Sequence, residues 1–322
     1  MGILVLSEHD VKRALDMRTC VDAMADVLTA LAHGELHLPL RTIVRPPESG
    51  GLFATMPTWR GGDSPLWSLK EIAVTFDNPS RGLDSHQGSV LLHDGVTGEL
   101  RAVLNASAVT AIRTAAVSGV ATRTLSKPGA RRVAILGAGV QARAHVEAMR
   151  AVLDEPEIRI WSKTLESAEK LAAEVGAHVA RSPDAALLGA GVVCTTTTAV
   201  EPVLQRGWLT DGAHVNAVGS CFPTTRELDT ETVAASSLFV DRRESALTEA
   251  GDVVIPITEG AIGPDHIRAE LGEVLSGMHG GREREDELTV FESLGIAVED
   301  LAAAEVAVRR ARELGIGAEV DF

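Results

Sequence analysis

The stretch RRVAILGAGVQARAHVEAM, residues 131–149, limits the fold more than any other part of the chain. RRVAIL is an aliphatic run of strand length, and VQARAHVEAMRAVL repeats apolar residues at helical spacing. Between them, Gly137-Ala138-Gly139-Val140-Gln141-Ala142 spells GxGxxA, and a second strand, IRIW, ends at Trp161. A glycine pair alone is a weak signal. A glycine turn that follows a strand, opens a helix and leads to a second strand is a strong one. Gly137 permits the tight turn, Gly139 lets the backbone approach a pyrophosphate, and Ala142 keeps the helix close to its strand. Ala138, Val140 and Gln141 complete a turn whose backbone amides, at a helix N-terminus, favour a dinucleotide phosphate.

The end of the second strand is where the adenosine ribose is read. A carboxylate there would bind the 2′-hydroxyl of NAD. This chain has Ser162-Lys163-Thr164 instead. Two hydroxyls and a cation suit a 2′-phosphate, so NADP(H) is preferred over NAD(H). The bland alternative is that Lys163 is a solvated surface lysine.

The flanking sequence extends the pattern. After Gly129, the strand-like runs RRVAIL, IRIW, GVVCTT, HVNAVG and SLFVD alternate with helical segments, which implies parallel strands joined by helical crossovers. Before it, a helical segment over 7–33 precedes RTIV, GLFATM, LWSLKEIAVTF and GSVLLHD, with a hairpin turn at HDGVTGEL and AVL returning. A long helix is predicted over 105–125, and another over AVEDLAAAEVAVRRAREL near the end. The fold class is therefore α/β: a Rossmann-type doubly wound parallel sheet, joined to an α+β domain.

A length of 322 residues fits two domains. A net charge of −15 disfavours nucleic acid as a partner. No apolar run approaches the ~20 residues of a membrane span, and MGILVLSEHDVKRAL lacks the form of a signal peptide. Cys20, Cys194 and Cys221 are widely separated and odd in number, which argues against a disulfide framework and fits a reducing cytoplasm. Apart from His33 and His37, which stand four apart, the ten histidines show no HxxxH or HxxEH spacing, and a metal site is not expected. The acidic stretch EREDE, 283–287, reads as a solvated loop.

Against so acidic a background, cations inside apolar segments stand out. Arg41 lies in LPLRTIV, Lys70 in LWSLKEIAVTF and Arg113 in VTAIRTAAVSGVAT. A buried cation needs an anionic partner or an exit to water. Structural ion pairs would satisfy that need, and so would a carboxylate ligand. Three such cations in a chain that binds a hydride carrier point to a carboxylate pocket, for which the arginine fork is well shaped. Cys221 could be a nucleophile but has no local His–acid partner, and such thiols are mostly small buried side chains.

The order MPTW, Lys70, SHQGSVLLHDGVTGEL, AIRTAA, GAGVQA, HVNAVGS, REL and VFESLG…VED resembles the ornithine cyclodeaminase/mu-crystallin family along nearly the whole chain. The resemblance implies a dimerising substrate domain, 1–116 with 303–322, into which a dinucleotide domain, 117–302, is inserted. It also implies that Arg41, Lys70 and Arg113 hold a substrate carboxylate, with Lys70 transferring a proton. Thr114 matches a position next to the cofactor. Val218 and Gly219 match the strand end beside the nicotinamide, and Ser293 and Gly295 match a loop that closes on it. His86 matches a position near the pocket, with Ser85 beside it; a hydrogen-bonded strand histidine is the plain alternative.

Departures from the cyclodeaminase pattern carry information. Cys221 stands where that branch has an aspartate facing the substrate amine, Ala54 where it has a glutamate, and Thr225 where it has a lysine. A neutral thiol cannot anchor a second ammonium group. The resemblance therefore points to the mu-crystallin-like branch: an NAD(P)H-dependent reductase of 2-imino acids or cyclic ketimines, or the reverse amino-acid dehydrogenase. Two alternatives stay open: an NAD-dependent lyase of the cyclodeaminase or hydroxyproline dehydratase type, and a non-catalytic binding protein. The implied partners are a small amino or imino acid and a second copy of the chain.

Overall fold

The computed structural model describes residues 2–75 and 77–321. The chain forms two compact units, Met1–Arg113 with Ile296–Phe322, and Thr114–Gly295. These divisions fall three and seven residues before the 116/117 and 302/303 boundaries expected from sequence.

The first unit opens with β1 (Ile3–Leu6), α1 (Glu8–Ala14) and α2 (Met17–Ala32). The single helix expected over 7–33 is two. Ser7 caps α1, and Asp16 accepts the Thr19 amide to cap α2, so the chain restarts between them. Then follow β2 (Leu36–His37), β3 (Thr42–Val44), β4 (Gly51–Arg60), β5 (Leu66–Thr75), β6 (His86–Asp94), β7 (Leu100–Asn105) and α3 (Ala106–Leu125). β4, β5, β6 and β7 form an antiparallel meander, with β2 and β3 both paired to β4 and β1 parallel to β7.

Along β5 the buried positions are Ser68, Lys70, Ile72 and Val74, every second residue, as the strand period demands. Opposite them on β4 the buried face carries Leu52, Ala54, Met56 and Thr58. A lysine thus occupies a position where the alternation calls for an apolar side chain.

The second unit contains β8 (Arg132–Leu136), α4 (Val140–Val152), β9 (Glu157–Trp161), α5 (Leu165–Val175), β10 (His178–Val179), α6 (Pro183–Leu187), β11 (Val192–Thr195), β12 (His214–Ala217), α7 (Thr230–Ala234), β13 (Ser237–Val240), α8 (Arg243–Glu249), α9 (Gly251–Thr258), β14 (Ile267–Glu270), α10 (Leu271–Leu275) and β15 (Thr289–Glu292). Its sheet runs β10-β9-β8-β11-β12-β15-β13-β14 with every pair parallel. From β8 the chain winds outward through β9 and β10, then returns to β11 on the other side. That is the doubly wound order, with its switch between β8 and β11. Its core holds Ala134, Leu136, Val193, Val215, Leu238 and Val290.

The chain then re-enters the first unit through α11 (Ala297–Leu314) and β16 (Ala318–Val320), which pairs antiparallel with β1. Within that unit α11 packs on α1, α2 and the sheet strands β4, β5 and β6.

The stretch 283–287 is only partly a solvated loop. Glu283, Arg284, Glu285 and Asp286 are exposed, but Glu287 is buried. Its carboxylate accepts from Arg268 at 2.7 Å and from the backbone amides of Glu283 and Arg284, which organises the turn. No described helix is long and apolar enough to cross a membrane, and no described cluster of three His, Cys, Asp or Glu could hold a metal.

Candidate active site

Two of the three singled-out cations come together in the first unit. The Lys70 side chain is 1% exposed and that of Arg113 5%. Neither is without an anion. Lys70 Nζ donates to Asp300 Oδ1 at 2.9 Å and lies 2.8 Å from Oδ2. Arg113 Nε donates to the same Oδ1 at 3.0 Å, and its Nη1 donates to Glu299 at 2.5 Å. Of the two outcomes open from sequence, an internal ion pair is therefore realised for both. The anions are Glu299 and Asp300, which did not stand out in the sequence.

The fold explains their placement. Glu299 and Asp300 lie in the first turn of α11, where the helix dipole favours negative charge. α11 packs over β4, β5 and β6, so its N-terminal carboxylates lie on the buried face that carries Lys70.

Arg41 immediately precedes β3, one residue before the Thr42–Thr55 pair, while Met56 pairs with Lys70 and Lys70 with Val90. Arg41 therefore enters the sheet beside the strand that neighbours Lys70, close enough for its charge to act on that amine.

Burial, above all, lowers the Lys70 pKa to about 8; Arg113 adds repulsion, and Asp300 offsets part of it by attraction. A lysine balanced near neutrality can give a proton and take it back. His86 is solvent-exposed, yet protein atoms crowd around it. That crowding lowers its proton affinity, and Lys70 and Arg113 lower it further. Its Nδ1 lies 3.0 Å from Ser85 Oγ.

The second unit presents the dinucleotide turn. Gly137 has φ 128°, and a β-carbon there would meet Thr196 Oγ1 at 2.5 Å and Thr196 O at 2.8 Å, so only glycine fits. Its amide donates to Trp161 O at 2.8 Å, tying the turn to the end of β9. Ser162, Lys163 and Thr164 follow directly, Lys163 and Thr164 exposed. Gly139 caps α4 with no side-chain hydrogen bond, and the space beside its α-carbon is open. Ala138, Val140 and Gln141 complete this helix start, which has no side-chain cap and whose first amides have no partner within the helix. The chemistry of these residues fits a dinucleotide pyrophosphate.

Of the remaining cofactor candidates, Val218 and Gly219 follow β12, Ser293 and Gly295 follow β15, and Thr114 lies on α3. Val218 donates to Thr195 O at 3.0 Å and Ser293 to Ala217 O at 2.8 Å. Ser293 Oγ is buried with no hydrogen-bond partner. Thr114, 7% exposed, follows Arg113 on α3. Cys221 is partly buried in the loop after β12, its thiol 3.6 Å from Val218 O. It belongs to the second unit, whereas Lys70 and Arg113 belong to the first.

Buried carboxylates shape these turns, another feature the sequence reading passed over. Glu227 accepts from Thr197 N at 2.6 Å and Gly219 N at 2.7 Å, linking the turns after β11 and β12. Asp241 Oδ2 accepts from Leu294 N and Gly295 N, both at 2.7 Å. Asp252 accepts from Glu227 N and Leu228 N. Glu292, 1% exposed, has both carboxyl oxygens unpartnered. Burial first, then Asp252 and the other nearby acids, hold its pKa far above the usual carboxylate range.

A doubly wound unit with an open glycine turn, and a second unit that buries a lysine–arginine pair on one shared carboxylate, define a two-domain Rossmann-type dinucleotide-binding protein. The profile of the ornithine cyclodeaminase/mu-crystallin family matches residues 2–314, and the chain belongs to that family. It is 42% identical over 275 residues to the ketimine reductase mu-crystallin of Mus musculus, covering 85% of each chain. It is 35% identical to a Delta(1)-pyrroline-2-carboxylate reductase of Bacillus cereus, covering 99% of this chain and 100% of the other. The solved Delta(1)-pyrroline-2-carboxylate reductase of Thermococcus litoralis, in complex with NADH and L-proline, superposes with a TM-score of 0.94 at 35% identity, covering 99% of this chain and 100% of that one.

Proposed function

We propose that this chain is an NAD(P)H-dependent reductase of 2-imino acids, cyclic ketimines among them, that also runs the reverse amino-acid dehydrogenase reaction. The observation that carries the proposal is Lys70: a buried lysine, brought to about 8, standing with Arg113 on one carboxylate. Arg113 and Arg41 bind the substrate carboxylate, and Lys70 serves both as a contact and as the proton donor. When bound, the nicotinamide cofactor supplies a hydride to the imine carbon. Lys70 gives its proton to the imine nitrogen, so that C=N becomes CH–NH and the lysine is left neutral. In the oxidative direction neutral Lys70 takes the proton from the amine.

Gly137 to Gln141 hold the pyrophosphate, and Ser162, Lys163 and Thr164 favour a 2′-phosphate, hence NADPH over NADH. Thr114, Val218, Gly219, Ser293 and Gly295 support the nicotinamide end. Cys221 and the buried Ala54 and Met56 leave no carboxylate at those positions for a second ammonium group, which favours a reductase over a diamine-handling cyclodeaminase.

Two further points belong to the proposal. Ile43, Val44, Phe53 and Trp67 are 42–56% exposed on the first unit, apolar surface that a second copy would cover in a homodimer. Three free cysteines fit a cytoplasmic location. The test is absorbance at the reduced-nicotinamide band, with NADPH and NADH in turn, over cyclic ketimines and over 2-oxo acids with ammonia or methylamine. Cofactor oxidation that depends on the imine supports the reductase. Product formed with no net change in cofactor would assign the chain to the lyase class.

A further inference from the structure

We propose that Asp300 is a positioning residue for this reaction, holding the Lys70 ammonium on line for proton transfer and orienting Arg113 with the same oxygen atom. The proposal rests on the reductase reading above and adds a residue that acts through Lys70.

The geometry is specific. Asp300 Oδ1 accepts two hydrogen bonds, from Lys70 Nζ at 2.9 Å and Arg113 Nε at 3.0 Å. Its Oδ2 lies 2.8 Å from the same Nζ. Asp300 itself is fixed from three directions: by its place in the first turn of α11, by the lysine from β5, and by the guanidinium from α3. Glu299, one residue earlier, takes Arg113 Nη1 at 2.5 Å, so the guanidinium is held at two points and cannot swing away from Asp300. The side chains of Lys70, Glu299 and Asp300 are at most 1% exposed, and that of Arg113 5%.

An ammonium has three donors. A carboxylate gripping one side leaves the others directed away from α11, and the flexible four-carbon stem loses its freedom to wander. Without that grip a buried lysine is an imprecise proton donor, because its stem has many rotamers.

Charge works alongside position. The groups that face Lys70 are Asp300, and Glu299 behind it, from α11; Arg113 from α3; Arg41 ahead of β3; and His86 from β6. Met56 and Val90 flank it on the neighbouring strands and are neutral. Arg113, Arg41 and burial all push the proton off Lys70; Asp300 holds it on. Among the described residues Asp300 is the carboxylate ion-paired with Lys70, so its removal leaves the opposing influences unbalanced.

The test uses full-length Asp300→Asn and Asp300→Glu, the pH profile of kcat/KM for imine reduction, and direct titration of NADPH by fluorescence. Asparagine keeps an acceptor oxygen but loses the charge. The alkaline limb is expected to move down by roughly one pH unit or more, with NADPH affinity unchanged. Glutamate keeps the charge but moves the carboxylate by a methylene. The limb is expected to stay within about half a unit while kcat falls roughly ten- to a hundredfold, the scale of a ~1 Å misplacement. A limb that stays in place in Asp300→Asn, or a normal kcat in Asp300→Glu, overturns the proposal. If Asp300→Asn does not fold, Asp300→Glu decides alone. Lys70→Ala separates this proposal from the reading beneath it. Full activity there removes the reductase mechanism itself; an inactive Lys70→Ala beside an unshifted Asp300→Asn removes only the role of Asp300.

Discussion

Arg113→Met removes the guanidinium that joins Glu299 to Asp300 while keeping much of the apolar stem. Arg113 makes two charge-assisted contacts, at 2.5 Å and 3.0 Å, between side chains 5% exposed or less. Breaking one side of a buried ion pair costs roughly 3–5 kcal/mol, because the remaining charge stays in a medium that solvates it poorly. The first unit spans about 140 residues, so its unfolding entropy is roughly 0.3 kcal/mol/K on the general scale of ~2.1 cal/mol/K per residue. The expected fall in Tm is then roughly 10–17 °C if that unit melts by itself, and about 4–7 °C if the whole chain melts together. Differential scanning calorimetry at pH 7 reads both the shift and the number of transitions. The double variant Arg113→Met/Glu299→Gln removes the stranded partner as well. It is expected to recover part of the loss, with a coupling of roughly 1–3 kcal/mol. A loss below about 1 kcal/mol in Arg113→Met, or strict additivity in the double variant, would refute the claim that these charges depend on one another.

Other consequences follow from the same geometry. Because Lys70 sits near 8 rather than its usual 10.5, kcat/KM for imine reduction should fall as pH rises through about 8, while the oxidative direction should rise there; flat profiles from pH 7 to 9 in both directions would exclude Lys70 as the proton carrier. Gly219→Ala places a β-carbon 2.1 Å from Thr197 O and 2.6 Å from Glu227 Cδ, so the turn after β12 must shift. NADPH binding, followed by fluorescence, should weaken about tenfold or more, a loss of roughly 1.4 kcal/mol; unchanged affinity would detach this turn from the cofactor. Glu292 is an acid whose folded pKa is raised, so its cost is absent below the usual 4.5 and grows as pH rises above it. Glu292→Gln should therefore match the wild type in urea unfolding near pH 4 and exceed it at pH 8, and a less stable variant at pH 8 would show that the carboxylate is paired.

Much of the fold could be read from the chain because it depends on local patterns. The strand–turn–helix at 132–152 and the alternating buried strands of the second unit follow from hydrophobic period and from one glycine with a forbidden neighbour at Thr196. Arg41, Lys70 and Arg113 stood out as charges in apolar segments. The same logic applied to AVED would have found Glu299 and Asp300, since they open an otherwise alanine- and valine-rich helix. What no local pattern reveals is that residues 70 and 300 share a hydrogen bond, because that contact forms only when α11 packs over the sheet. The carboxylates under the second unit's turns were hidden for a similar reason. Glu227, Asp241 and Asp252 bind backbone amides supplied by other segments, and acidic residues in loops and at helix starts ordinarily read as solvated surface. The break between α1 and α2 was signalled by Asp16 ahead of Thr19, a cap masked by the continuous apolar spacing around it.

The central claim is that Lys70 delivers the proton that accompanies hydride transfer to a bound imino acid. Its most direct test is a single-turnover experiment, in which preformed complexes of wild type and Lys70→Ala with NADPH are mixed with a cyclic ketimine carboxylate at pH 7 and the reduced-nicotinamide signal is followed. The account predicts rapid loss of that signal in the wild type, and a variant that binds NADPH normally but oxidises it slower by a factor on the order of 10²–10⁴. Equal rates in the two proteins would contradict it.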